Sequence, residues 1–150
     1  MRLLHALSVL AAAALLPAGH AAQAGDVKKE LARLEGTWHL VGREFEGQKA
    51  TPEEVKKIDA TLIIKGDKLT YRSQGAEVWQ AALKIDPAKT PPTIEANHLS
   101  GPLKGKTGLA IYKLEGDRLT VCFSYTKRPT AFDTKQGYDR VLVVYQREKK

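Results

Sequence analysis

The fold of this chain is decided by two short stretches, IKGDKLT at residues 64–70 and LEGDRLT at residues 114–120. In each stretch a Gly-Asp pair separates two runs in which apolar and polar side chains alternate. A two-residue turn of this composition between alternating runs is the signal of a tight hairpin of antiparallel strands. Because the signal occurs twice, we predict two such hairpins in the same sheet.

The rest of the chain extends this antiparallel pattern. Alternating or apolar runs bounded by turn residues predict eight strands, at about residues 37–45, 60–65, 68–73, 77–86, 92–98, 107–114, 118–125 and 139–147. An open sheet of successive strands has two exposed edges, and closure of the sheet removes both. We therefore predict an all-β fold, an eight-stranded antiparallel up-and-down barrel. A sandwich of two sheets is the main alternative.

Two helical signals accompany the strands. Asp26 caps a short N-terminal helix that carries Val27, Leu31 and Leu34 on one face and stops at Gly36. In the first connection, residues 51–54 combine a capping threonine, a proline at the first helical position and a glutamate three residues after the cap. This pattern predicts a second short helix between the first two strands.

The N-terminal segment, residues 1–24, has the composition of a cleavable signal peptide. Arg2 supplies a positive start, residues 3–16 form an apolar run, and Ala22 and Ala24 are the small residues that a signal peptidase reads. The apolar run is shorter than the roughly 20 residues that a membrane-spanning helix needs. We therefore predict cleavage after Ala24 and export to the periplasm or the extracellular space.

The remaining residues, 25–150, have the length of a single domain. The formal net charge of the chain is +7. Lysines alternate with acidic residues, as on an ordinary solvated surface, so we expect no nucleic-acid partner. Cys122 is the only cysteine, so an internal disulfide is impossible, and its position in a strand-like run favours a packed thiol over a nucleophile.

The connections between the predicted strands differ at the two ends of the barrel, because successive connections of an up-and-down barrel alternate between its ends. One set is short: residues 66–67, 87–91 and 116–117. The other set contains the second helix and both long loops: residues 46–59, 74–76, 99–106 and 126–138. Long loops without regular structure are often functional. We therefore predict that a binding site lies at the loop-rich end, which we call the mouth.

The first and last predicted strands resemble those of lipocalins. Gly36-Thr37-Trp38 matches the Gly-x-Trp motif at the start of the first lipocalin strand. In lipocalins an arginine packs across that tryptophan, and Arg147 holds the matching position here. The helix before Gly36 also lies where lipocalins close the base of the barrel. The resemblance implies that Trp38 and Arg147 meet at the closed end.

A longer resemblance covers nearly all of residues 25–150. It is carried by the segments 34–38 (LEGTW), 84–94, 105–112 (GKTGLAIY), 115–119 (EGDRL), 122–123, 128–132 (RPTAF) and 146–148 (QRE). Together these segments resemble a family of exported domains known mainly from planctomycete bacteria, lipocalin-like in outline and uncharacterised in function. The resemblance implies the fold and export, and it transfers no catalytic or ligand-binding residue.

Motifs for catalysis, metals and cofactors are weak in this sequence. Residues 101–107, GPLKGKT, resemble a phosphate-binding loop, but one residue is missing between the glycines and a strand pattern follows where a helix is required. His39 and His98 lie on distant strands without metal-ligand spacing, and we expect each to be a surface or satisfied polar residue. A Gly-x-Ser-x-Gly elbow is absent, and Cys122 has no local base. We predict a non-enzymatic protein without metal or cofactor.

The mouth loops carry the candidate ligand-binding residues. Residues 99–106 and 126–138 hold one acid, Asp133, against five basic residues: Lys104, Lys106, Lys127, Arg128 and Lys135. Arg128 is the sharpest candidate, because its planar guanidinium matches a carboxylate or phosphate. Tyr125 and Phe132 flank it as possible apolar walls. The alternative is that Arg128 and Pro129 merely fix the loop through a surface salt bridge.

Strand alternation predicts which side chains face the interior, and these include Tyr71, Trp79 and Phe123. If they leave a cavity, the chain is an exported, non-enzymatic protein that binds a small amphipathic or anionic ligand at the mouth. This is our leading hypothesis. If they fill the interior, the alternative is a protein-binding module, such as a small-barrel inhibitor of a secreted hydrolase.

Overall fold

A computed structural model describes residues 24–135 and 139–150 of the chain. The predicted signal peptide, apart from Ala24, lies outside these residues, as do residues 136–138 of the last long connection. No helix in the described part of the chain is long and apolar enough to cross a membrane.

Two helices and nine strands make up the described residues. The helices are α1 (Ala24–Leu34) and α2 (Pro52–Ile58). The strands are β1 (Gly36–Phe45), β2 (Gln48–Lys49), β3 (Ala60–Lys65), β4 (Lys68–Ser73), β5 (Ala76–Asp86), β6 (Thr93–His98), β7 (Thr107–Glu115), β8 (Arg118–Ser124) and β9 (Val141–Arg147). The eight predicted strands agree with these bounds to within about two residues. The short strand β2 was predicted as loop; a tight turn at Glu46 and Gly47, both with positive φ, folds it back onto the end of β1.

The strands form one closed antiparallel sheet. Their order is β2-β1-β3-β4-β5-β6-β7-β8-β9, and β1 also pairs with β9 to close the barrel. Trp38 lies opposite Arg147 and Phe45 opposite Val141 in this closing pair. The predicted eight-stranded barrel is therefore confirmed, together with both short helices, and the sandwich alternative is wrong.

The closed end is centred on Trp38, which is fully buried. Its indole N–H donates to the carbonyl oxygen of Leu34, the last residue of α1, at 2.9 Å. The guanidinium carbon of Arg147 lies 4.1 Å from the centre of the indole ring. The packing of Arg147 on Trp38 that the lipocalin resemblance implied is present.

Arg147 also ties the end of α1 to the barrel. Its Nη2 donates to the carbonyl of Arg33 at 2.7 Å, its Nη1 to the carbonyl of Glu35, and its Nε to the carboxylate of Asp117 at 3.1 Å. These bonds satisfy carbonyls at the helix end that lack a partner within the helix. Gly36 is required beside this guanidinium, because its φ is +136° and an added Cβ would lie 3.1 Å from Arg147 Nη1.

Helix α1 closes the base of the barrel from below. Leu34 is fully buried, and Val27 and Leu31 pack against the core. The hydroxyl of the buried Tyr112 donates to the carboxylate of Glu30 at 3.0 Å. Burial and the neighbouring Glu30 raise the pKa of Tyr112 well above its usual range, so the phenol stays protonated and remains a donor.

The last long connection runs along the outside of the barrel. We call its described part, residues 126–135, the strap. Cys122 and its cross-strand partner Ile111 face outward, yet they are 0% and 2% exposed. The Cys122 Sγ lies 3.7 Å from the carbonyl oxygen of Asp133 in the strap. The strap therefore covers a small apolar patch on the outer wall.

Candidate functional site

The barrel contains a cavity of about 380 Å³ that extends from the mouth toward the closed end. This volume falls within the range of about 300–1,000 Å³ that is typical of small-molecule pockets. Its deeper part is lined by aliphatic side chains from five strands: Leu62, Ile64, Leu69, Leu83, Ile94 and Leu119. The inward-facing side chains therefore do not fill the interior.

An arc of rings lines the upper part of the cavity. Tyr71 and Trp79 are stacked, with ring centres 4.9 Å apart and an angle of 14° between the planes. Trp79 meets His98 nearly edge to face at 4.5 Å, and Phe123 meets Tyr125 in the same way at 5.9 Å. The structure thus brings four of the predicted site residues, Tyr71, Trp79, Phe123 and Tyr125, into one cavity wall.

Arg128 lies elsewhere, on the outer face of β6 and β7. Its Nη1 donates to the carbonyls of Ile94 and Ala110 at 2.8 and 2.7 Å. Its Nη2 donates to the carboxylate of Glu95 at 3.0 Å, and Glu95 points away from the cavity. The expected position of Arg128 at the mouth is therefore wrong. Its salt bridge to Glu95 and its bonds to two carbonyls anchor the strap to the wall, as the alternative reading of Arg128-Pro129 expected.

The other predicted loop residues also lie outside the cavity lining. Phe132 is in the strap, where the Lys113 ammonium lies 5.7 Å from the centre of its ring on the outer wall. Lys104 and Lys106 are exposed in the loop at 99–106, which contributes Leu103 to the cavity instead. Thr134 of the strap is buried against the end of β1, where its hydroxyl donates to Glu44 at 2.6 Å and accepts from the Gly47 N–H at 3.1 Å.

Arg43 is the cation that does line the cavity, and the alternation of the sequence did not predict it. Strict alternation from Trp38 points Arg43 outward. A bulge between Leu40 and Gly42 inserts one extra residue, Val41, and reverses the alternation beyond it. Arg43 therefore lies on the same face as its partner Val143, which also lines the cavity. Gly42 within a strand pattern was the signal that could have indicated the bulge.

Two tyrosines of the lining lie close to Arg43. Burial raises the pKa of Tyr71, and the positive charge of Arg43 and a hydrogen bond with Ser73 oppose this rise. Burial and the neighbouring Tyr71 raise the pKa of the Tyr145 phenol, and Arg43 again opposes the rise. Both phenols therefore keep their protons at neutral pH and can donate hydrogen bonds near the guanidinium.

His98 is a second polar residue of the lining that was not predicted from the sequence. It is 5% exposed and lines the cavity at the end of β6, opposite Ala81. Its Nε2 shares a hydrogen bond with the Tyr125 hydroxyl at 3.2 Å, but its buried Nδ1 has no partner among the described residues. Burial lowers the pKa of His98, so the ring is neutral at pH 7. It is neither a surface residue nor a fully satisfied one.

Helix α2 and the loop at 99–106 form the rim of the mouth. The predicted capping box of α2 is present: Thr51 Oγ1 accepts from the Glu54 N–H at 3.2 Å, and the Thr51 N–H donates to the Glu54 carboxylate at 2.7 Å. Ile58 at the end of the helix lines the cavity. The Ser73 hydroxyl donates to the Ile58 carbonyl at 2.6 Å, which joins the helix to β4.

The described residues contain no group of three or more His, Cys, Asp or Glu side chains placed to hold a metal ion. Cys122 lies behind the strap, and burial raises the pKa of its thiol, which keeps the sulfur protonated and unreactive. The cavity lining offers apolar contact and a few hydrogen-bonding groups.

No protein-family model and no curated protein matches the sequence of this chain. The resemblance to the planctomycete domain family therefore stays a prediction from sequence motifs. The cavity and its lining are the features from which a function can be inferred.

Proposed function

We propose that this chain is an exported, non-enzymatic protein that binds a small amphipathic molecule inside the barrel. The observation that carries the proposal is the cavity of about 380 Å³, which is open at the mouth and lined mainly by apolar side chains. Burial of an apolar ligand surface is favourable by about 25 cal/mol for each Å² removed from water. A ligand with a hydrocarbon body is therefore the class that gains most from this lining.

The arrangement of polar groups supports an amphipathic ligand over a purely apolar one. The deep part of the cavity is aliphatic, whereas Arg43, Tyr71, His98 and Tyr125 lie in its upper part. A ligand that enters with its apolar end first would keep its polar end near these groups and near water. Export belongs to the same proposal and is supported by the apolar N-terminal run that ends at Ala24.

The filled-barrel alternative, a protein-binding module, is less well supported. A cavity of this size contradicts the filled interior on which that alternative depends. Among the described residues, the most exposed large apolar side chains are Val41, Phe45, Val78 and Leu99. The first two lie on β1 and the others on or next to β5 and β6, and β3 and β4 separate the two pairs in the sheet. They do not form the continuous apolar patch typical of a protein interface.

Binding of simple amphiphiles tests the proposal directly. The fluorescence of Trp79, which lines the cavity, should change when the purified protein is titrated with dodecanoate or dodecanol. Native mass spectrometry of the same samples should show a one-to-one adduct. If neither compound binds and neither raises the melting temperature, the proposal is wrong.

A matched pair of variants locates the binding inside the barrel. Ala96 lines the cavity, whereas Ala82, on the neighbouring strand, lies opposite Asn97 and faces outward. Ala96→Phe should weaken binding at least about tenfold, or about 1.4 kcal/mol, because the ring occupies the cavity. Ala82→Phe should leave the affinity unchanged. Equal effects of the two substitutions would contradict binding in the cavity.

A further inference from the structure

Among the described residues that line the cavity, Arg43 is the one with a side chain of the Lys, Arg, Asp or Glu type. Its guanidinium has neither an ion-pair partner nor a hydrogen-bond partner within residues 24–135 and 139–150. The arginines that hold the strap and the end of α1 against the barrel wall differ in this respect. Arg128 and Arg147 each donate to backbone carbonyls and to a carboxylate.

The surroundings of Arg43 add two further hydrogen-bond donors, the phenols of Tyr71 and Tyr145, and no carboxylate. Arg43 and Tyr145 lie on the same inner face of the closing strand pair, where Arg43 is opposite Val143 and Leu40 is opposite Tyr145. Tyr71 lines the same cavity from β4. The Tyr145 hydroxyl has no hydrogen-bond partner in the described part of the chain, and its ring is 5% exposed. A guanidinium and two phenols thus line the same part of the cavity, and no carboxylate of the described residues lines it with them.

We propose that Arg43, Tyr71 and Tyr145 bind the carboxylate of the ligand, so that the ligand is a small amphiphile with a single acidic head group and an apolar tail. This inference rests on the proposed function and names the class of ligand. The guanidinium binds a carboxylate through two parallel N–H donors, and the phenol hydroxyls add further donors. The tail then extends past the ring arc into the aliphatic part of the cavity.

The β-bulge is what creates this site. Without the extra residue at Val41, Arg43 would point to the outside of the barrel, and the upper lining would contain no positive charge. A neutral head group would then bind as well as an acidic one. The irregularity in β1 therefore determines the ligand class, while the regular strands determine only that the ligand has an apolar body.

Three amphiphiles of equal length test the proposal through the head group alone. Dodecanoate, dodecanol and dodecylamine are titrated against the protein at neutral pH and low salt, with Trp79 fluorescence as the readout. Dodecanoate should bind about tenfold more tightly than dodecanol, because charge-assisted hydrogen bonds are stronger than neutral ones. Dodecylamine should bind most weakly, since its charge has the same sign as that of Arg43. The preference should shrink as salt is added, because Arg43 is exposed at the mouth.

Substitutions assign the preference to the named residues. Arg43→Gln should remove the preference for dodecanoate and leave dodecanol binding unchanged, and Arg43→Lys should keep part of it. Tyr71→Phe and Tyr145→Phe should each reduce it by a smaller factor. Lys49→Gln is the matched control, because Lys49 is an exposed cation at the same end that does not line the cavity. The melting temperature of each variant shows that it is folded.

The outcomes separate the two proposals. If dodecanol and dodecanoate bind equally to the wild-type protein, or if Arg43→Gln keeps the preference, the carboxylate site is refuted and the carrier function stands. If none of the three compounds binds, the carrier function fails and the carboxylate site fails with it. If Lys49→Gln has the same effect as Arg43→Gln, the preference arises from the general charge of the mouth and the assignment to Arg43 is wrong.

Discussion

The two ends of the barrel differ in whether their polar side chains have hydrogen-bond partners. At the closed end, the Trp38 indole and the Arg147 guanidinium donate to fixed partners, and the Tyr112 hydroxyl donates to Glu30. At the mouth, the Arg43 guanidinium and the His98 Nδ1 have no partner among the described residues. Buried polar groups in folded proteins are nearly always hydrogen-bonded, so the buried His98 Nδ1 is an exception, whereas the exposed Arg43 guanidinium is open to solvent. Polar groups at the closed end are thus fixed by hydrogen bonds within the fold, and the difference supports our proposal that the mouth receives a ligand.

The largest expected effect is at the closed end. Trp38→Ala should reduce the free energy of unfolding by about 3–5 kcal/mol, because it removes a fully buried ring and leaves a cavity. Trp79→Ala should cost clearly less, since Trp79 is only partly buried and already borders an open cavity. Equilibrium unfolding in urea measures both. Equal losses would contradict the division of roles between the two ends.

A second comparison concerns the stability effects of a substitution in the strap and of one in a mouth loop. Arg128→Ala should destabilise the protein by about 2–3 kcal/mol, because it deprives two backbone carbonyls and Glu95 of a charged donor. The share of this loss that comes from the ion pair with Glu95 is small, since both side chains are partly exposed. Lys104→Ala, at an exposed loop position, should change stability by less than about 0.5 kcal/mol.

Ligand titrations of the same two variants sharpen this comparison. The affinity for dodecanoate should be unchanged in both, because neither side chain lines the cavity. A loss of affinity in folded Arg128→Ala protein would indicate that Arg128 takes part in ligand binding, as its position in the sequence suggested.

The smallest of these effects is a pH dependence that arises at His98. Burial lowers the pKa of His98 in the folded protein, whereas the unfolded chain keeps the ordinary histidine value. As the pH falls below that ordinary value, the unfolded chain takes up a proton that the folded chain does not. Stability is therefore full at higher pH and is lost progressively on acidification, until the pH reaches the folded pKa.

Urea unfolding at about pH 7.5 and about pH 5.5 measures this loss. Tyr125 shares a hydrogen bond with His98, but burial raises the pKa of its phenol, so it is neutral throughout this range. His98→Phe should flatten the dependence, and His39→Gln, at an exposed site, should keep it. A dependence that persists in His98→Phe would assign the effect to other groups.

Much of the fold could be predicted because it is encoded locally. The Gly-Asp turns and the alternation of side chains locate the eight strands, and Gly36, Trp38 and Arg147 mark the closing pair. The capping box at Thr51 is likewise a pattern of adjacent residues. For the site, alternation also placed Tyr71, Trp79 and Phe123 on the inner face.

The tertiary structure alone decided the rest of the site. One extra residue at Val41 reverses the face on which Arg43 lies, and a period of two cannot reveal where such an insertion occurs. The path of the strap depends on contacts of Arg128 and Thr134 with residues far away in the chain. The cavity exists because the inward side chains occupy less than the space inside the closed sheet, and that difference of volumes arises only when all strands are in place.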